Sequence, residues 1–405
     1  MNKPAHYALD NCIKCSICTT RCPVARVSER FAGPKQNGPD LERFRLQGLA
    51  AAHPSIDYCS NCKNCDLACP SGVEISAMNC RAKGESVSAQ GASPRDRLLA
   101  LPELAGKAGC AARRLFNLAA RLKPLRGLGE KLIGINAEMT LPAFAPKTFN
   151  KLYYASRPAP LDRKAVYFPG CHVNYHKPLV GMSLVRVLER NGIQVIPGNF
   201  QCCGLPLISA GMLSQAQKLA RNNLDKVQKY LDRGYPVITS CPSCSLALRK
   251  EYRDLFEMDA DGGIGSRVYD IFEYLGEMDH KGDLDTNFQR LPVRAGYHQP
   301  CHLKAAGCGS PSLEILRIIP GFQVTDLDAG CCGLAGSYGF KKEKYRISME
   351  IGREVFCAVD AAGVSQIITE CGMCGLQISH GTGAEVLHPV QVLDLAYGNG
   401  HRVPK

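Results

Sequence analysis

Residues 12–23 read CIKCSICTTRCP, and residues 59–70 read CSNCKNCDLACP. Both stretches separate their first three cysteines by two residues, place a fourth after three more, and end in proline. Thiolates at this spacing hold two 4Fe-4S clusters, and the fourth cysteine of each run binds the cluster of the other run. The pattern therefore predicts one small domain in which the two runs interlock.

The predicted ligand sets cross between the runs. One set is Cys12, Cys15, Cys18 and Cys69, and the other is Cys59, Cys62, Cys65 and Cys22. We expect the fourth cysteine of each run to begin the following helix. Zinc is the alternative for isolated Cys-x-x-Cys pairs, but zinc usually takes its ligands as pairs, whereas these come as triads plus one.

The chain has 405 residues, of which 22 are cysteine and 45% are hydrophobic, and its formal charge is +12. This length favours two or three domains. The start, Met1 to Asp10, lacks the basic and then apolar pattern of a secretory signal, so we expect metal binding rather than disulfides. The sequence contains no run of about 18 apolar residues, so we predict no membrane-spanning helix. Tryptophan is absent and no basic run is interleaved with aromatics, which disfavours nucleic-acid binding.

Residues 93–131 are basic and rich in leucine. Leucines recur there at steps of three and four residues, at Leu115, Leu118, Leu122 and Leu125. The spacing predicts an amphipathic helix that breaks or ends near Pro124. Its apolar stripe is expected to pack on a neighbouring domain, and the alternative is that it lies on an anionic membrane surface. Residues 140–162 are rich in proline and are interpreted as a linker.

From about Arg163 onward, one unit of sequence occurs twice. The first copy has YFPGCH at 167–172, CCGL at 202–205 and CPSC at 241–244. The second copy has YHQPCH at 297–302, CCGL at 331–334 and CGMC at 371–374. Every cysteine of these motifs recurs 129 or 130 residues later, which indicates a duplicated domain.

Short apolar runs alternate with helical stretches in both copies, which favours a parallel sheet with helices on both faces. Strands are predicted at 194–196, 237–239 and 367–369, and helices at 213–231 and 342–357. The cysteines follow the predicted strands, where an open α/β sheet places its sites. Five thiols per copy, two of them adjacent, favour a polynuclear cluster. A zinc site using four of the five, or a thiol relay without metal, remains the alternative.

Several histidines and cysteines stand near the motifs or outside them. Each histidine beside a motif cysteine is predicted either to hydrogen-bond a metal group or relay a proton, or to be structural. These are His172, His298 and His302, whereas His388 is interpreted as structural. The cysteines outside every motif are predicted to be buried free thiols. They are Cys80, Cys110, Cys308 and Cys357.

Together these patterns predict a multidomain protein of α+β and α/β class. A helical, two-cluster ferredoxin-type domain is followed by a basic helical bridge with its linker, and then by a duplicated α/β cysteine-rich domain. The predicted boundaries are 1–92, 93–162, 163–290 and 291–405. A Gly-x-Gly-x-x-Gly fingerprint after a strand and a P-loop are both missing, so no flavin site is predicted.

The paired Cys-Cys-Gly units resemble the cysteine-rich (CCG) domain family found in the B subunit of heterodisulfide reductase and in the iron-sulfur subunits of glycolate and lactate oxidation. The resemblance implies one metal centre per copy, which is a noncubane 4Fe-4S cluster in heterodisulfide reductase, with zinc as the other candidate. The implied ligands of the first centre are Cys171, Cys202, Cys203, Cys241 and Cys244. Those of the second are Cys301, Cys331, Cys332, Cys371 and Cys374.

Over nearly the whole chain, the motif order is similar to that of the iron-sulfur C subunits of anaerobic glycerol-3-phosphate dehydrogenases. The segments that carry this resemblance are NCIKC at 11–15, GPKQNGPDLERFR at 33–45 and CCGLAGSYGFKKEKY at 331–345. It implies an electron-transfer subunit that receives electrons from the flavin-containing A and B subunits and passes them to menaquinone. The implied location is peripheral, at the cytoplasmic face of the bacterial inner membrane. The alternative is an iron-sulfur subunit of a related glycolate, lactate or succinate oxidoreductase, or of a heterodisulfide-reductase-like enzyme.

Overall fold

Short helices joined by turns make up the N-terminal part of the protein. The computed structural model describes residues 9–49, 52–156, 160–259 and 262–399. The predicted polar start, Met1 to Asp10, lies almost wholly outside the described residues, as does part of the 140–162 linker. The N-terminal helices are α1 (Ile17–Thr20), α2 (Leu41–Arg45), α3 (Asn64–Leu67) and α4 (Ile75–Gln90).

The two cysteine runs share one backbone conformation. Each run contains two non-glycine residues with positive φ, namely Lys14 and Ser16 in the first and Asn61 and Lys63 in the second. A one-turn helix follows in each run and ends before the fourth cysteine. The expectation that Cys22 and Cys69 begin the next helix is therefore wrong. The chain forms a turn after each of them: the backbone oxygen of Cys22 accepts from the N–H of Arg26 at 3.1 Å and that of Cys69 from the N–H of Gly72 at 3.2 Å, and neither turn continues as a helix.

Five helices form the bridge. They are α5 (Pro94–Ala100), α6 (Pro102–Ala111), α7 (Arg113–Ala119), α8 (Lys123–Ile133) and α9 (Phe149–Ser156). The predicted break near Pro124 is present, since residues 115–125 are divided between α7 and α8. Pro124 lies in the first turn of α8, where its missing N–H leaves no bond unmade. The leucine stripe is not covered by a neighbouring domain, since Leu115 and Leu118 are 68% and 56% exposed.

The first repeat is a parallel four-stranded sheet of order β2-β1-β3-β4. Its strands are β1 (Arg163–Phe168), β2 (Ile193–Pro197), β3 (Val237–Thr239) and β4 (Val268–Asp270). Its helices are α10 (Gly170–Tyr175), α11 (Pro178–Arg190), α12 (Leu205–Ser209), α13 (Leu213–Leu231), α14 (Pro242–Leu246), α15 (Tyr252–Phe256) and α16 (Ile271–His280). Alternate residues of β1 enter two different apolar cores, Tyr167 one and Phe168 the other, so the sheet is buried on both faces.

The second repeat has a parallel sheet of the matching order β6-β5-β7-β8. Its strands are β5 (Arg294–Tyr297), β6 (Gln323–Asp326), β7 (Gln366–Ile368) and β8 (Glu385–Leu387). Its helices are α17 (Cys301–Ala306), α18 (Pro311–Arg317), α19 (Tyr345–Ala362), α20 (Gly372–Thr382) and α21 (Pro389–Ala396). In both sheets the first strand of the repeat pairs with the second and third, as in Val166 opposite Val237 and Gly296 opposite Ile367.

The two repeats pack on each other through equivalent helices. Helix α11 of the first repeat packs on α21 of the second, and α18 of the second packs on α16 of the first. Leu188 and Leu393 belong to the same apolar core, which also contains Phe272 and Leu316. The contacts are therefore reciprocal, as in a two-fold symmetric dimer, and the two sheets share one core.

The predicted fold class is confirmed, with short N-terminal helices followed by two parallel α/β units. Helix α13 and strand β3 have the predicted bounds, whereas α19 begins and ends later than the predicted helix at 342–357. The four domain boundaries remain predictions. Across the part of the chain that the structure describes, we find no helix both long enough and apolar enough to span a bilayer.

Candidate metal centres

Three members of the first crossed set of N-terminal cysteines are brought together. Cys18 is buried and interacts electrostatically with Cys69 and Cys12. Burial raises the pKa of Cys18, and the two neighbouring sulfur atoms raise it further. The backbone N–H of Val73 donates to the Cys69 sulfur at 3.3 Å. Cys15, the remaining member, is exposed.

The second crossed set lies deeper. Cys22 interacts with Cys62 and Cys59, and Cys65 interacts with all three of these residues. Burial raises the pKa of both Cys22 and Cys62 to about 12. Grouped buried thiols of this kind become thiolates only when positive charge, such as that of bound iron, compensates them.

A buried ion pair supports the second run from the side of the first repeat. Lys63, which lies between two of the run's cysteines, pairs with Glu251, and both side chains are almost completely buried. The Lys63 ammonium group also donates to Ser76 Oγ at 2.8 Å. Burial alone would lower the pKa of Lys63, but the Glu251 carboxylate raises it above its usual value. The charged pair thereby ties the cysteine run to the π-helical turn Ala247–Glu251.

Two further buried lysines approach the second run from the opposite side. Lys83 of α4 donates to the backbone oxygen of Cys59 at 2.7 Å and to that of Ser209 at 3.1 Å. Lys344 of the second repeat donates to the Asp57 backbone oxygen at 2.7 Å and to its carboxylate at 2.5 Å. Burial, together with neighbouring ammonium groups, lowers the pKa of Lys344 to about 7.

A tyrosine of the second repeat lines the same narrow cleft as these lysines. Tyr338, in the 3-10 turn Tyr338–Phe340, is 5% exposed, and among the described residues its hydroxyl has no hydrogen-bond partner. The hydroxyl interacts electrostatically with Cys59 and Cys22. Burial raises the pKa of Tyr338 and these sulfur atoms raise it further, so the phenol keeps its proton. A buried donor without an acceptor, facing two thiols, fits a thiolate-held group at this position.

The five motif cysteines of the first repeat lie close together. Each interacts with the next in the order Cys171, Cys202, Cys203, Cys244 and Cys241. The thiol of Cys244 lowers the pKa of Cys241 to about 7. Gly170 has a φ of +65°, and a side-chain carbon there would lie 2.9 Å from the Cys244 sulfur. Only glycine therefore fits this close approach.

The second repeat forms the same chain of contacts. Its order is Cys301, Cys331, Cys332, Cys374 and Cys371, with the Cys332 and Cys374 sulfur atoms 3.2 Å apart. Hydrogen bonds from Cys331 and Cys374 lower the pKa of Cys332 to about 5. Within the described ranges, no three His, Cys, Asp or Glu side chains meet the spacing expected around a single metal ion.

The second N-terminal set and the second-repeat set are neighbours. Cys62 interacts electrostatically with Cys301 and Cys331. Cys22 and Cys331 are buried in one apolar cluster, against which Cys59 packs. Thiols distant in the chain thus form a continuous group across the interface between the N-terminal part and the second repeat.

Histidines cross between the repeats near the motif cysteines. The Nε2–H of His302 donates to the Asn61 backbone oxygen at 3.0 Å, and its Nδ1 accepts from Ser243 Oγ at 2.8 Å. It therefore joins the CPSC segment of the first repeat to the second N-terminal run. Reciprocally, the His172 ring lies against Gly372 in the CGMC loop. Both ring nitrogens of His298 are buried without a partner among the described residues.

The cysteines outside the motifs differ from prediction. Cys80 is buried, as predicted, and its thiol donates to Asn61 Oδ1 at 3.3 Å. Cys110 and Cys308 are only half-buried, and Cys357 is exposed, so the prediction of buried thiols is wrong for these three. They lie on partly exposed helix faces or loops, where spacing in the sequence gives no indication of burial.

The sequence interpretation missed Lys83, Lys344, Glu251 and Tyr338. Each is an isolated residue whose contact with a cysteine run depends on chain segments far apart in the sequence; Lys344 and Asp57 are 287 residues apart. Only Tyr338 and Lys344 carried a signal, because both lie in the segment CCGLAGSYGFKKEKY. His388 is structural as predicted: it caps α21 and contacts the Ser240 backbone oxygen at 2.9 Å.

Comparison with known families matches each part of this arrangement. The 4Fe-4S dicluster domain matches residues 8–73, and the cysteine-rich domain CCG matches residues 165–249 and 295–379. Iron-sulfur binding by the N-terminal cysteine runs is therefore supported by the family as well as by the thiol geometry.

Relatives align over almost the whole chain. The C subunit of anaerobic glycerol-3-phosphate dehydrogenase from Escherichia coli K12 is 36% identical over 391 residues, covering 95% of this chain and 98% of that protein. The B subunit of fumarate reductase (CoM/CoB) from Methanothermobacter marburgensis is 26% identical and covers 98% of this chain and 75% of that protein. The glycolate oxidase iron-sulfur subunit of Escherichia coli K12 is 24% identical, with coverages of 97% and 95%. The chain belongs to the family of C subunits of anaerobic glycerol-3-phosphate dehydrogenases, iron-sulfur proteins that combine a 4Fe-4S dicluster domain with two cysteine-rich domains.

Proposed function

We propose that this protein carries electrons from the flavin-containing A and B subunits of an sn-glycerol-3-phosphate dehydrogenase to menaquinone, at the cytoplasmic face of the bacterial inner membrane. The observation that carries the proposal is the group of thiols that runs from the second N-terminal set into the second repeat, where Cys62 interacts electrostatically with Cys301 and Cys331. When bound there, iron-sulfur clusters supply one-electron chemistry. The protein contributes the thiolate ligands, the buried charges and the exclusion of water.

The ligand assignments follow the grouping of thiols. In the proposal, Cys12, Cys15, Cys18 and Cys69 hold a first 4Fe-4S cluster, and Cys59, Cys62, Cys65 and Cys22 hold a second. The electrostatic contacts of Cys18 and of Cys22 with the opposite run support this crossing. The five motif thiols of each repeat hold a further metal group, with a noncubane 4Fe-4S cluster and zinc as the candidates.

The exposed end of the first set is the proposed contact for the electron-donating subunit. Cys15 is exposed, and Ile13 and Ile17 beside it are 67% and 39% exposed. Apolar side chains around an accessible metal ligand suit a partner that must approach closely and exclude water. Electrons would then enter at this edge and leave through the deeper sets.

Metal analysis of anaerobically purified protein tests the proposal. We expect about eight irons per chain if only the two N-terminal clusters form, and about sixteen if both repeats also hold 4Fe-4S groups. Zinc in the repeats would appear as two zinc ions beside eight irons. A colourless, oxygen-protected sample with zinc in place of iron throughout would contradict the electron-transfer role.

The bridge helices provide the proposed membrane surface. Helix α7, helix α8 and the residues that join them expose leucines, including Leu122, Leu125, Leu128 and Leu132. Exposed cations flank the stripe, namely Arg114, Arg121, Lys123 and Lys131. Apolar side chains beside basic ones match the boundary between acyl chains and anionic headgroups. The exposed stripe therefore favours a lipid surface over packing on another part of this chain.

Replacement of Leu118 by aspartate should weaken membrane binding. Burying one leucine contributes about 1.5–3 kcal/mol, so its loss should reduce the bound fraction about tenfold or more at limiting lipid. Flotation with liposomes containing anionic lipid measures the effect. Leu179→Asp is the matched control, because Leu179 is 63% exposed on α11, outside helices α7 and α8, and should leave flotation unchanged. Equal flotation of Leu118→Asp and the unmodified protein would exclude this stripe as the attachment.

A further inference from the structure

The segment CCGLAGSYGFKKEKY brings one polar group to the second thiol set that the proposed function leaves without a role. Tyr338 packs in a single apolar cluster with Cys22 and Cys331, and Cys59 packs against the same cluster. The phenol therefore stands between the second N-terminal set and the thiols of the second repeat. Its hydroxyl has no hydrogen-bond partner within the ranges that the structure describes.

An unsatisfied buried hydroxyl is costly. A hydroxyl in this position must therefore find an acceptor in the working protein. It interacts electrostatically with the sulfur atoms of Cys59 and Cys22, with Tyr58 and with the Asp57 carboxylate, and that carboxylate already accepts from Lys344. Both cysteines become thiolates on metal binding, and a thiolate accepts a hydrogen bond well. Metal binding therefore supplies the hydrogen-bond acceptor that the Tyr338 hydroxyl lacks.

Two buried lysines lie close to the phenol. The Lys344 Nζ, which pairs with the Asp57 carboxylate, lies 5.1 Å from the centre of the Tyr338 ring and 5.2 Å from that of Tyr58. Lys83 adds a second buried cation at the Cys59 backbone oxygen. The first thiol set instead faces Lys35, whose side chain is 23% exposed and pairs with Asp40. The donor and the buried charge are concentrated on the second set.

We propose that Tyr338 is a positioning residue that donates a hydrogen bond to a ligand thiolate of the second set and thereby raises the reduction potential of the cluster held there above that of the first. Hydrogen bonds to sulfur and nearby positive charge stabilise the reduced, more negative form of an iron-sulfur cluster. The inference rests on the proposed function, since it requires clusters in both sets. It gives electron flow a direction, from the exposed edge toward the second repeat.

The test is Tyr338→Phe in anaerobically prepared holoprotein, with a redox titration followed by electron paramagnetic resonance. The second cluster is identified as the signal that Cys62→Ser removes. We expect its midpoint potential to fall while that of the first cluster stays constant. Tyr397→Phe is the matched control, because this buried tyrosine donates to the Asp285 backbone oxygen at 2.6 Å, away from every cysteine group, and should shift neither potential.

A second measurement keeps the inference testable if Tyr338→Phe does not fold. In the unmodified protein, hyperfine spectroscopy in H2O and D2O should detect an exchangeable proton coupled to the second cluster. An absent coupling, or unchanged potentials in Tyr338→Phe with both clusters present, would overturn the inference and leave the proposed function intact. Missing iron in the unmodified protein would instead contradict the proposed function itself.

Discussion

Replacement of Cys62 by serine is expected to abolish one of the two N-terminal cluster signals and to stop substrate-driven quinone reduction. A serine hydroxyl does not ionise at neutral pH, whereas cluster ligation requires a thiolate. Cys62 also interacts with both Cys22 and Cys301, so the loss falls where the N-terminal thiols meet those of the second repeat. Electron paramagnetic resonance of the reduced protein and menaquinone reduction by the reassembled complex measure the two effects.

Cys357→Ser is the matched control for this change. Cys357 is exposed and belongs to no motif, so both cluster signals and quinone reduction should persist. Quinone reduction that continued at full rate in Cys62→Ser would show that electrons do not pass through the second thiol set.

The second large effect is expected from Glu251→Leu, which leaves the Lys63 ammonium buried without its carboxylate partner. Breaking a buried ion pair from one side costs about 3–5 kcal/mol. Both side chains are almost completely buried, and Glu251 lies outside the cysteine run, so metal ligands are not changed directly. Anaerobic urea denaturation followed by circular dichroism should show a lower midpoint.

The double variant Lys63→Met with Glu251→Leu distinguishes the cost of leaving one buried charge unpaired from the effect of losing the Glu251 side chain. Replacing both charges with apolar groups of similar size should restore most of the lost stability. Lys281→Met is the exposed control, since its pair with Glu277 is open to solvent, and such pairs contribute about 0–1 kcal/mol. A double variant as unstable as Glu251→Leu would show that the ion pair is not the source of the effect.

The features that spacing along the chain encodes were predictable. The two cysteine runs, the duplication and the placement of cysteines after strands are all local patterns, and the fold class follows from them. Strand β3 was located from its apolar run and the motif cysteine that follows it. The same kind of local inference was wrong for Cys22 and Cys69, because a cysteine followed by proline suits both a helix start and a turn, and the chain forms a turn at both.

The sequence does not predict what covers an exposed helix face or which distant residues come into contact. The spacing of Leu115 and Leu118 shows that they share a helix face, but it does not show whether a domain, a membrane or water meets that face. The contacts of Tyr338 and Lys344 with the second cysteine run join segments that only the folded chain brings together. A single tyrosine or lysine produces no repeating pattern in the sequence, so contacts of this kind are seen only in the folded structure.

The reciprocal packing of α11 on α21 and of α18 on α16 bears on how this chain arose. A single copy of the repeat would expose the Leu188 face of its α11-type helix and the Leu393 face of its α21-type helix to water. Both apolar faces would be buried together if two identical copies formed a dimer with two-fold symmetry. The arrangement implies an ancestor that worked as a homodimer, whose gene was later doubled and fused. The two halves differ at the histidine that follows the first motif cysteine: His302 donates a hydrogen bond to the Asn61 backbone oxygen, whereas Nε2 of His172 has no partner among the described residues.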